Sequence, residues 1–82
     1  MKIADGFDSA IIGVIRQAGL PDKVVYDIVK CIDVLIERDG MTDEEALEYL
    51  EFNAIGAYVG EDTPAWLVPY SPEQVTSLLE ED

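Results

Sequence analysis

The 82-residue chain contains no histidine, and no lysine or arginine follows Arg38. Without an imidazole it lacks the side chain that ordinarily titrates near neutral pH, and it lacks a nitrogen ligand for zinc or copper. Its one cysteine, Cys31, can neither close an internal disulfide nor build a thiolate metal site, which fits a reducing compartment. No apolar run approaches the roughly 18 residues of a membrane span. Met1 to Gly6 lack the apolar stretch of a signal peptide. These absences lead to an expectation of no catalytic residue, no metal and no cofactor, in a protein that is not an enzyme and works in the cytoplasm.

What is present is acid. Residues 1–38 hold six acidic groups and five basic ones, whereas residues 39–82 hold twelve acids and no base, for a net charge of −13. A field of that sign repels nucleic acid and anionic membrane and attracts basic protein surfaces. Apolar residues make up 49% of the chain, too many for a disordered acidic tail. A chain of this length forms one domain, burying roughly 60–65% of its unfolded surface, which allows one core and no deep cleft.

Ser9 to Gln17 is short, β-branched and followed by the turn residues Gly19, Pro21 and Asp22, so a strand is expected there. Lys23 to Tyr26 reads as its hairpin partner. Val24, Ile28, Cys31, Ile32 and Leu35 also fit one long helix from Asp22 to Arg38, and spacing alone does not separate the two readings. Asp27 suits the N-cap of a helix ending near Asp39, with Ile28, Cys31, Ile32, Leu35 and Ile36 as its apolar arc and Gly40 as its left-handed stop. Thr42 and Glu45 form a capping box for a helix from Asp43 to about Ile55, ending at Gly56, with Ala46, Leu47, Leu50 and Ala54 as its buried stripe. Ala65 to Val68 reads as a third strand. Ser71, Pro72 and Gln74 open a final helix through Leu79, and Glu80 to Asp82 are expected to fray against the helix dipole. The expected fold is α+β: a small antiparallel sheet of two or three strands packed against two central helices, plus a C-terminal helix.

The stretch Gly40 to Asn53 (GMTDEEALEYLEFN), continued by Gly56-Ala57-Tyr58-Val59-Gly60-Glu61 and Thr63-Pro64, resembles small, mostly uncharacterised proteins encoded by tailed bacteriophages and prophages. The segments Asp5-Gly6-Phe7-Asp8, Ile12-Gly13-Val14 and Val25-Tyr26-Asp27 are similar to the same group. Together they cover most of residues 5–68, and the helix from Ser71 lies outside the resemblance. It implies a viral origin and a site of action in an infected bacterial cell, and it brings no established catalytic residue with it.

Two surfaces are candidates for function. On the second helix Glu44, Glu48 and Glu51 share one side, spaced three and four apart, with Phe52 and Ile55 nearby and off the core stripe. One reading is a solvated face whose two apolar residues are covered by the segment from Gly60 to Tyr70. The sharper reading is a partner-binding surface, an apolar anchor ringed by acids. The partner is then a host protein with a basic surface, and the chain an antagonist of a bacterial defence system acting as a DNA mimic. The alternative site is the segment from Asn53 to Trp66, where Asn53, Tyr58, Glu61, Asp62, Thr63 and Trp66 would hold a small molecule or nucleotide and make the chain a signal sponge. Plain turn geometry explains the same loop. Sheet edges in so small a domain also leave a homodimer open, one that buries Trp66 or Phe52.

Overall fold

In the computed structural model, which describes residues 1–57 and 60–80, Ile11–Ile15 (β1) and Lys23–Asp27 (β2) form an antiparallel hairpin. Arg16 and Asp22 clasp its turn, Arg16 Nη2 donating to Asp22 Oδ2 over 2.8 Å. Asp8–Ala10, at the start of the expected first strand, instead form a 3₁₀ turn. The single long helix from Asp22 is excluded by this pairing. Lys23 to Tyr26 lie in the central strand of a three-stranded sheet, where Val24, Val25 and Tyr26 are all buried.

Asp27 ends β2 and begins the next element. Its Oδ1 accepts hydrogen bonds from the backbone N–H groups of Val29 (2.8 Å) and Lys30 (3.2 Å), capping the helix Ile28–Asp39 (α1). Ile28, Cys31 and Leu35 are the buried residues of α1, with Ile32 and Ile36 half-buried on the same arc. Gly40 closes α1 at φ 68°, a left-handed conformation that a side chain with a Cβ resists. Asp43–Leu50 (α2) follow, and Ala46 and Leu50 are fully buried. Leu47, expected in the same stripe, is 39% exposed, because α2 packs on α1 over a narrower arc than its apolar residues span.

The sheet differs from expectation in one respect. Ala65–Leu67 (β3) lie parallel to β2, with Tyr26 opposite Trp66, so the sheet is mixed rather than wholly antiparallel. A parallel partner needs a long crossover. Residues 28–64, with both central helices, supply one. The helices pack on one face of the sheet, where Phe7, Ala10, Val24, Tyr26, Leu35 and Leu50 form the centre of the core. Tyr26 is fully buried and satisfied, its hydroxyl accepting from the Ala4 N–H at 2.7 Å. No polar or charged side chain is buried among the described residues.

Pro72–Glu80 (α3) form the final helix, started as expected by Ser71 and Gln74: Gln74 N donates to Ser71 Oγ at 3.2 Å, and Ser71 N donates to Gln74 Oε1 at 2.8 Å. Glu80 is helical, and the expected fraying of Glu81 and Asp82 falls outside the described residues. Every residue of α3 is exposed. No described helix is long and apolar enough to cross a membrane.

Candidate functional site

The acidic surface is set up by the start of α2. Thr42 Oγ1 accepts from Glu45 N at 3.2 Å while Thr42 N donates to Glu45 Oε1 at 3.0 Å, completing the expected capping box. The backbone bond from Thr42, aided by its side chain, holds the Glu45 carboxyl below its ordinary range. Asp43, Glu44 and Glu45 therefore share the first turn, where the positive end of the helix dipole favours negative charge.

At Leu50 the helix changes gauge. Glu51–Ile55 form a π-helical turn, closed by Gly56 N donating to Glu51 O across 3.0 Å. The expected helix end at Gly56 is thus kept, but its last turn carries one residue more than an α-turn. Gly56 is required here by space and not by a left-handed backbone. A Cβ on it would lie 2.8 Å from the Glu51 carbonyl oxygen. Asn53 donates from Nδ2 to Tyr49 O at 3.0 Å, satisfying a carbonyl at the junction of the two helical forms.

The consequence is the placement of Phe52, which is 85% exposed, while Leu50 two residues earlier is fully buried. The segment from Gly60 to Tyr70 leaves it uncovered. Phe52, Tyr49, Met41, Asn53, Glu45 and Glu48 line a shallow groove of about 380 Å³. Of the residues expected at a partner site, the groove brings together Glu48 and Phe52. Glu44 and Glu51 are exposed beside it, and Ile55, 36% exposed, does not line it. Glu45 and Tyr49 were not anticipated there. Their spacing carried the signal, because the pairs 45/48, 45/49, 48/52 and 49/52 are each three or four apart on a helix.

The acids of this surface have no cationic partner among the described residues. The ion pairs found there join Asp62 to Lys2 and to the N-terminal amine, Arg16 to Asp22, and Arg38 to Asp39. Arg38 also donates to Gly6 O at 3.0 Å and lies 5.6 Å over the Phe7 ring, and although it is near enough to Tyr49 to interact with it electrostatically, its ion pair is with Asp39. Glu44, Glu45, Glu48 and Glu51 therefore present uncompensated charge around the exposed ring.

The loop from Asn53 to Trp66 is mostly occupied with its own structure. Thr63 Oγ1 donates to Gly60 O at 2.6 Å, and Asp62 is bound by Lys2, a contact that keeps its carboxyl below the usual range. Glu61 is exposed, and Tyr58 lies outside the described residues. Trp66 stacks on Tyr26 with ring centroids 5.0 Å apart. Asn53 and Trp66 line a cavity of about 240 Å³ with Ile3, Phe7, Tyr49 and Pro64, and the buried Trp66 Nε1 has no hydrogen-bond partner among the described residues. No group of three or more cysteines or carboxylates among the described residues is placed to hold a metal ion.

Cys31 is fully buried within the core. Desolvation, with a smaller contribution from Asp27, pushes its thiol up to about 11, the opposite of an activated nucleophile.

No family model matches the chain, and no curated protein or solved structure matches it.

Proposed function

We propose that the chain is a protein-binding module whose acidic α2 surface, centred on Phe52, docks on a basic surface of a partner protein. The observation that carries this reading is an aromatic ring 85% exposed at a π-helical turn, between carboxylates without a cationic partner. Leaving a large ring in water forgoes roughly 1.5–3 kcal/mol of burial, a loss that binding would recover. π-Turns break the regular hydrogen-bond ladder and occur disproportionately at functional positions. A buried aromatic anchor within a polar rim is the arrangement that concentrates binding energy at protein interfaces. The carboxylates supply long-range attraction and select against acidic partners.

The phage resemblance extends this reading to the class of target. Proteins of bacterial defence that handle nucleic acid carry basic grooves, and a surface of closely spaced carboxylates competes for such a groove as a DNA mimic does. The test is retention of a bacterial protein on the immobilised chain at low salt, its release at high salt, and its displacement by duplex DNA. Retention that is indifferent to salt and to DNA would reject the mimic.

The cavity at Trp66 favours a second reading, a binder of a small apolar or aromatic ligand. Its about 240 Å³ lies below the roughly 300–1,000 Å³ of most ligand sites, but the unpartnered indole N–H offers a donor. A ligand at roughly 100 times its Kd adds about 2.7 kcal/mol to stability, so a thermal-shift panel of nucleotides and aromatic metabolites decides it. No shift across the panel removes this reading.

A further inference from the structure

The most exposed element is α3, and it is too short to stand alone. Isolated helices below about 12–15 residues are marginal in water, and stability normally comes from packing an apolar face. α3 has nine residues, all exposed, with Val75 43%, Leu78 44% and Leu79 68% accessible on neighbouring turns. Leu67, Val68 and Tyr70, just before it, are 43–49% exposed.

The chain also exposes more surface than a compact monomer of its size. A compact monomer of this mass has about 4,900 Å² of accessible surface, whereas the chain exposes 5770 Å². The excess, about 900 Å², is close to the roughly 800 Å² that each partner buries in a standard interface. The radius of gyration agrees, at 13.9 Å against about 11.7 Å for a compact chain of this length.

A matching surface lies at the opposite edge of the sheet. β1 is an edge strand, with an unpaired outer backbone and with Ile11, Ile12 and Val14 39–51% exposed. The hairpin brings no net charge to that edge, since Arg16 is paired with Asp22 and Lys23 is offset in number by Asp27, so the match between the two surfaces is apolar.

We propose that two copies of this chain exchange C-terminal arms, α3 of each docking along β1 of the other. The arrangement is reciprocal, so it closes as a two-fold dimer, and it leaves the Phe52 surface free. Because each copy carries −13, the dimer tightens as salt screens repulsion, the reverse of the salt dependence of an acidic surface meeting a basic partner. Sedimentation equilibrium of the full chain at micromolar concentration should give twice 9.1 kDa, more completely at high salt. The double variant Val75→Glu, Leu79→Glu should return the mass to 9.1 kDa while keeping the parent's circular dichroism, since neither residue belongs to the core, and its melting temperature should no longer depend on protein concentration. A parent of 9.1 kDa at high salt overturns the proposal, as does a dimer that the double variant leaves intact.

Discussion

Leu50 and Phe52 are two positions apart in sequence and should respond oppositely to alanine. Leu50 is fully buried among the core residues, and Leu→Ala at such a site costs roughly 2–5 kcal/mol, part from lost transfer energy and part from the cavity left behind. A domain of this length has roughly 4–12 kcal/mol in total, so the variant loses a large part of its stability. Phe52 is 85% exposed, so with roughly 200 Å² on an aromatic side chain only about 30 Å² is buried, worth about 0.8 kcal/mol. Alanine's better helix propensity returns about 0.5 kcal/mol of that. The net change at Phe52 is therefore a few tenths of a kcal/mol. Urea denaturation followed by circular dichroism measures both, and with m of roughly 1 kcal/mol/M Leu50→Ala should move the midpoint by ~2 M or more. Phe52→Ala should hardly move it. Comparable shifts in the two variants would mean that Phe52 is packed, and would refute the π-turn geometry on which the site depends.

Two further predictions concern the core and the turn. Burial holds the Cys31 thiol neutral up to about 11 in the fold, whereas an unfolded thiol ionises near ~8.5. This contribution to stability is complete below ~8.5 and is lost as pH rises toward 11; Cys31→Ala should abolish that part of the alkaline slope in urea midpoints, and an unchanged slope would count against the burial. Gly56→Ala forces a Cβ to within 2.8 Å of the Glu51 carbonyl and should cost roughly 1–3 kcal/mol by opening the π-turn; a loss well below that in the same urea assay would mean that the turn yields freely.

Most of the architecture was legible because its signals are local. The Asp27 cap, the Gly40 stop, the Thr42–Glu45 box and the Ser71–Gln74 pair each depend on side chains three or fewer residues apart, and all four occur as read. The direction of β3 was not legible, because three residues following a long crossover carry no mark of which way they pair. The π-turn was hidden for a related reason. Its position depends on how α2 seats Leu50 and Ala54 against the core, and the spacing Leu50 to Ala54 is the same in an uninterrupted helix. Charge marked the acidic side of α2, and the groove on that side is shifted by about one residue toward Glu45 and Tyr49. That shift left Glu44, Glu51 and Ile55 at its margin.

The most direct test of the account is the affinity of the chain for a captured partner, measured as a function of salt for the parent and for Glu44→Gln, Glu48→Gln, Glu51→Gln combined. Glutamine is nearly as good a helix former as glutamate, and removing the three like-charge neighbour pairs 44/48, 45/48 and 48/51 relieves roughly 0.6–1.5 kcal/mol, which offsets the loss of Glu44 from the first turn. The variant should therefore fold with parental stability, bind more weakly, and show a shallower dependence of log Kd on log salt. Binding as tight as the parent's, with the same salt slope, would show that the carboxylates of α2 are only a solvated face.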